Sequence, residues 1–154
     1  MAGFFCDSSA VVKRYVNETG SNFVDSLADL KNGNVILLAR ITRVEIAAAI
    51  ARRLKGGSIA AADAQNALVA FQHDLTNNYF TVEITPELLS RAMSLATNHA
   101  LRGYDAVQLA AALEATDERI SDELPPLTLV SADEDLNGAA QAEGLNVEIP
   151  NDHA

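Results

Sequence analysis

The chain has 154 residues, enough for one domain of ordinary size with a real core. Hydrophobic residues make up 49%, which excludes a disordered chain, and no apolar run approaches the roughly 18 residues that a membrane-spanning helix needs. The formal net charge is −10, divided as +1 over residues 1–77 and −11 over residues 78–154; this argues against non-specific coating of DNA or RNA and leaves a metal-binding acidic site, a basic protein partner or mere solubility.

In chain order, short apolar runs alternate with longer segments rich in the chain's 27 alanines. Gly3–Cys6 reads as a buried strand, and its single cysteine excludes a disulfide framework or a cysteine zinc site. A helix starts over Ser9–Val16, and Ser21–Leu30 follows with helical spacing. Val35–Ala39 is a second buried strand. Thr42–Leu54 is a helix broken by Gly56-Gly57, and Ser58 can cap a long helix to about Leu75. The pair reads as an αα-hairpin able to project from the sheet. Phe80–Ile84 is a strand, and Thr85-Pro86 opens a helix to about Ala100. Asp105–Ala115 is a helix apolar on most faces. A loop around Pro125-Pro126 leads to the strand Thr128–Ser131, a short helix over Leu136–Glu143 and a last strand over Asn146–Ile149. This pattern predicts one α/β domain over residues 1–150, with a mostly parallel sheet covered on both faces and a loose tail over 151–154. No basic, apolar leader opens the chain, so a cytoplasmic location is expected.

Ligands of open α/β sheets bind outside the carboxyl ends of the strands. Four acids fall there: Asp7 after the first strand, Glu45 in the first turn after the second, Asp105 at the head of its helix, and Asp133 after the fourth strand run. Two carboxylates about 4 Å apart repel by roughly 4 kcal/mol at an effective dielectric of 20. Converging acids therefore take up protons or a cation, and an all-oxygen set suits Mg²⁺ or Mn²⁺. Such an ion suits phosphoryl chemistry. Each acid also has a structural reading. Asp7, Asp105 and Asp133 can cap helices, and Thr42-x-x-Glu45 is a capping box. Ser131 can hold an acid or a water, or be a turn hydroxyl. Asp135 can assist Asp133 or belong to a solvated face. Arg40, Arg43, Arg52, Arg53 and Lys55 form the one basic cluster; they can steer phosphates or serve a helix terminus, with Lys13 and Arg14 joining the patch or lying on the surface.

The stretch Phe4-Phe5-Cys6-Asp7-Ser8-Ser9-Ala10-Val11-Val12-Lys13-Arg14-Tyr15-Val16-Asn17-Glu18 resembles the opening of PIN-domain proteins, particularly VapC-like toxins of type II toxin–antitoxin systems. Thr42-Arg43-Val44-Glu45-Ile46, Leu101-Arg102-Gly103-Tyr104-Asp105-Ala106-Val107-Gln108-Leu109-Ala110 and Leu129-Val130-Ser131-Ala132-Asp133 resemble the family's later acidic motifs, in order. The resemblance implies a PIN-like three-layer sandwich with a five-stranded sheet. It implies a Mg²⁺- or Mn²⁺-dependent endoribonuclease, with Asp7, Glu45, Asp105 and Asp133 as catalytic and metal-holding acids. Ser8 and Ser131 would match the family's hydroxyl residues beside the first and last acids; from their position in the sequence, Asp135 would support Asp133, and Arg43, Arg40 and Arg14 would contact RNA. It further implies a cognate antitoxin and a homodimer or higher homo-oligomer. Gln108 stands where the family often has His, a change expected to be tolerated. The alternative is a catalytically silent PIN-like interaction module. A receiver domain, a haloacid-dehalogenase phosphatase and a dinucleotide-binding module fit less well. No lysine follows Lys55, Asp7-Ser8-Ser9 is not Asp-x-Asp, and no Gly-x-Gly-x-x-Gly follows a strand.

Overall fold

The computed structural model describes residues 2–153. Five strands, β1 Gly3–Cys6, β2 Val35–Ala39, β3 Tyr79–Val82, β4 Thr128–Val130 and β5 Asn146–Glu148, form one sheet in the order β3-β2-β1-β4-β5. Every pairing is parallel, and Phe5 sits in register with Leu37 on one side and Leu129 on the other. The helices are α1 Ser8–Val11, α2 Ser21–Ala28, α3 Thr42–Lys55, α4 Ala61–Asn77, α5 Pro86–His99, α6 Gly103–Ser121 and α7 Glu134–Ala142.

Strand side chains alternate between two faces, and each face buries its own core. Cys6, Ile36, Leu38 and Val130 pack with α1, α3 and α4 through Ala10, Val11, Ile46, Ile50, Ala67 and Phe71. Phe5, Ala39 and Leu129 pack with α5, α6 and α7 through Leu88, Leu95, Leu109, Ala112, Leu136 and Ala140. Alanine-rich helices let α5 and α6 lie close to the sheet and to each other. This is the expected three-layer α/β sandwich.

Several expectations need correction. The α3–α4 hairpin does not project; its apolar faces belong to the first of these cores. Ser58 does not cap α4, since its hydroxyl donates to the Arg53 carbonyl and α4 begins at Ala61 without a side-chain cap. Helix α6 runs on to Ser121, because Thr116 stays buried and the polar run after it is the helix's solvent face. The tail is not loose: Pro150–His153 form a 3-10 turn, with Pro150 buried. His153 stacks on Phe23, its ring centroid 3.8 Å away, and contacts Glu148 at 2.9 Å. Residue 154 lies outside the described residues.

Candidate active site

The strand order fixes where a site can form. From β1 the chain winds outward to β2 and β3, then returns to the other side of β1 as β4 and β5. The crevice of such a sheet opens at the carboxyl ends of the two strands where the winding reverses, β1 and β4. Asp7 follows β1, and Ser131 and Asp133 follow β4.

Asp7 is 4% exposed. It caps α1, its Oδ1 accepting from the Ala10 N–H at 3.1 Å and from the Ser9 hydroxyl at 2.7 Å. Its Oδ2 accepts from the Ser131 hydroxyl at 2.7 Å. Ser131 Oγ in turn accepts from the Asp133 N–H at 3.0 Å, and Ser9 Oγ accepts from the Ala132 N–H at 2.9 Å. Asn137 donates to the Ser131 carbonyl at 2.9 Å and fixes the turn from below. The ends of β1 and β4 are thus sewn together by two hydroxyls and a carboxylate.

Glu45 stands in the first turn of α3. Its Oε1 accepts from Gln108 Nε2 at 2.7 Å, and its Oε2 accepts from the Ser8 hydroxyl at 3.2 Å. The expected capping box is not made. The Thr42 hydroxyl accepts from Gln108 Nε2 at 3.0 Å, and Ile41 is the cap residue without a side-chain bond. Gln108 is 2% exposed, and its Oε1 is buried without a partner.

Asp105 is the third residue of α6 and not its cap, a position taken by Arg102. Asp133 does cap α7, accepting from the Leu136 N–H at 2.9 Å. Arg102 reaches both acids: its Nε lies 3.4 Å from Asp105 Oδ2 and its Nη2 lies 3.2 Å from Asp133 Oδ2. Asp135, in the first turn of α7, acts on Asp105 only through its charge.

Electrostatics tie the four acids together. Burial pushes Asp7 up to about 6, against the lowering by Ser9, Ser131 and Ala10, and the Glu45 charge adds to the rise. Glu45 is raised by burial and by the Asp105 charge, against Gln108 and Ser8. Asp105 is raised by burial and by Asp133, against Arg102. Each acid therefore feels the next along a chain from Asp7 to Asp133. Such a set takes up protons or cations.

The donors fit a hard divalent ion in chemistry: four carboxylates flanked by hydroxyls, with no thiolate or imidazole among them. As placed, no three His, Cys, Asp or Glu side chains among the described residues stand close enough to share one ion. The side chains of Asp105 and Asp133 are instead bridged by a guanidinium.

The arginines expected at RNA are engaged elsewhere. Arg40 pairs with Glu83, its Nε 2.6 Å from Oε2. Arg43 donates to the Thr81 hydroxyl at 3.2 Å. Arg14 pairs with Asp25 at 3.1 Å and lies 3.8 Å from Asp74. None of the three reaches the acids, because each lies on a face turned toward β3 or α2. Lys13 is neither surface nor patch; it is 6% exposed and held by Glu18 and the Thr19 carbonyl. A groove of about 530 Å³ does open beside Ser8 and Glu45. Its walls carry Val44, Tyr104, Arg52 and Arg53, and Arg52 has no hydrogen-bond or ion-pair partner among the described residues. Arg102 and Ser9 were given no role from the sequence, and Gln108 was noted there only as standing where the family often has His. Gln108 had a signal: it is a polar residue on the Asp105 face of an otherwise apolar helix.

No family model matches the chain. A curated relative, ribonuclease VapC45 of Mycobacterium tuberculosis, is 32% identical over 143 residues, covering 93% of this chain and 92% of its own length. Among solved structures, PAE2754 from Pyrobaculum aerophilum superposes with a TM-score of 0.63 at 20% identity, over 95% of this chain and 83% of that one. VapBC2 from Rickettsia felis, bound to a DNA fragment from their promoter, matches with a TM-score of 0.60 at 14% identity, over 96% of this chain and 98% of that one.

Proposed function

The chain belongs to the VapC ribonucleases, and on that premise we propose that it is a Mg²⁺- or Mn²⁺-dependent endoribonuclease, the toxin of a toxin–antitoxin pair. The observation that carries the reading is the electrostatic chain from Asp7 through Glu45 and Asp105 to Asp133 at the reversal point of the sheet. Asp7, Asp105 and Asp133 would hold the ion, and Glu45 would complete the set. When bound, such an ion polarises a phosphodiester and lowers the pKa of an attacking water.

The chain's own residues do the positioning. Ser9, Ser131 and the Ala10 N–H fix Asp7, and Gln108 and Ser8 fix Glu45 from both sides. Burial holds Glu45 above the ordinary range, which suits a group that takes a proton from water. The groove beside Glu45 offers Tyr104 and Val44 for a base and Arg52 for a phosphate. Partners in this reading are RNA, a cognate antitoxin and a second copy of the chain. Among the described residues no helix is long and apolar enough to cross a membrane, and a cytoplasmic site of action fits an RNA substrate.

The test is cleavage of a total RNA pool by purified, antitoxin-free protein with Mg²⁺ or Mn²⁺, and again with chelator. Metal-dependent fragments that vanish with Asp7→Asn and Asp105→Asn support the reading. A folded protein that neither cuts RNA nor binds Mn²⁺ is instead the silent interaction module.

A further inference from the structure

The acid cluster carries a cation of its own. Arg102 ends the loop before α6, and its guanidinium crosses from Asp105 on α6 to Asp133 at the cap of α7. The arginine side chain is 79% exposed, while the two acids are 18% and 23% exposed. These two carboxylates are its side-chain partners among the described residues. The geometry is that of a loose external clamp on two half-buried like charges.

Such a pair of carboxylates demands a counter-charge. Arg102 supplies one positive charge from the solvent side through two contacts longer than 3 Å. A hard divalent ion supplies two charges to the same oxygens. The two cations compete for one place. Exposed ion pairs are individually weak, so the arginine is a counterion that can leave.

We propose that Arg102 is an exchangeable countercation of the site, and that a divalent ion loads by displacing its guanidinium from Asp105 and Asp133. The inference rests on the four-acid metal reading above. It adds that the metal affinity of this chain is set partly by its own arginine, which shields the outer two acids when divalent ions are scarce.

The test is calorimetric titration of Mn²⁺ into the full chain at low salt. Wild type is compared with Arg102→Ala, Arg102→Gln, Arg102→Lys and Asp105→Asn, each checked for native circular dichroism. Arg102→Ala and Arg102→Gln should bind Mn²⁺ about fivefold more tightly, the range open to two weak ion pairs. Arg102→Lys should stay within about twofold of wild type, since it keeps the charge. The gap between Ala and wild type should close as NaCl rises to about 0.5 M, because exposed charges are screened there. If wild type binds Mn²⁺ through Asp105 but the Ala and Gln variants bind equally or more weakly, Arg102 is a brace and the proposal is wrong, while the metal site stands. If no variant binds Mn²⁺, the metal reading itself fails and takes this proposal with it.

Discussion

Replacing Asp7 by Asn should stabilise the protein in chelator while abolishing its activity. Asp7 is 4% exposed, and burial raises its carboxyl from 3.8 to about 6. A carboxyl raised on folding binds its proton more tightly in the folded chain. Its contribution to stability is therefore greatest below about pH 4 and is lost as pH rises through about 6. At pH 7.5 the ionised side chain costs about 3 kcal/mol relative to its neutral form, on the order of 1.4 kcal/mol per pH unit of difference. Asn keeps the shape and the neutral charge. Its carbonyl can still accept from Ser9 and the Ala10 N–H, and its amide can donate to Ser131, whose oxygen has a free lone pair. Some of the gain is given back, because Ser9 and Ser131 no longer bond to a charge. A net 2–3 kcal/mol remains by this order-of-magnitude reckoning, and for a chain this long that raises Tm by about 5–10 °C. Thermal melts in EDTA at pH 7.5 and pH 4 check it. The difference should be large at the first pH and largely gone at the second. Added Mn²⁺ should raise the wild-type Tm and leave the variant's unchanged. A variant that melts below wild type at pH 7.5, or a gain equal at both pH values, refutes the argument that the Asp7 charge is the destabilising element.

Three further outcomes follow from the same geometry. Gln108→Leu leaves the Glu45 carboxylate and the Thr42 hydroxyl without their shared donor; metal affinity or kcat should fall by about tenfold, and stability by about 1–3 kcal/mol in urea unfolding. Ser131→Ala strips a donor from Asp7 Oδ2 and an acceptor from the Asp133 N–H, so the acid limb of the pH–rate profile should move to higher pH, with stability down by about 1–2 kcal/mol. Arg52→Ala should weaken RNA binding and lower the salt slope by about 1, whereas Arg40→Ala, whose guanidinium is spent on Glu83, should leave both unchanged in a fluorescence-anisotropy titration.

The acids were legible because each follows a strand or opens a helix, and a parallel sheet gathers those positions at one edge. A cap does not use up an acid: Asp7 and Asp133 each cap a helix with one oxygen, while the other accepts from the Ser131 hydroxyl in Asp7 and pairs with Arg102 in Asp133. Two cap readings among the acids failed: Asp105 lies inside α6, whose cap position is Arg102, and the capping box at Thr42-x-x-Glu45 is not made. Gln108 comes from α6, about sixty residues away, and claims both of its side chains. The arginines show where one-dimensional reading stops. Arg43 and Glu45 are two residues apart, which is about 200° around a helix, so they face opposite sides. Arg52 is seven residues from Glu45, two turns on, and shares its face in the groove. Clustering in sequence favoured Arg43; helical phase favours Arg52. Arg102 was hidden for a further reason, since its second partner lies 31 residues away on α7.

A chain of net charge −10 that concentrates four carboxylates at one sheet edge must hold down their repulsion before any partner arrives. The burial gradient shows how. At the inner end Asp7 is shut away from water, so a proton is its cheapest counter-charge, and its carboxyl is raised accordingly. At the outer end Asp105 and Asp133 stay near solvent, so a mobile guanidinium can reach them, and it opposes the rise of Asp105. Between them Glu45 is held by neutral donors alone. On the metal reading, a divalent ion would compete with the proton that Asp7 binds below about pH 6 at one end and with the Arg102 guanidinium at the other. Its apparent affinity would then depend on pH through the buried acid and on ionic strength through the exposed cation.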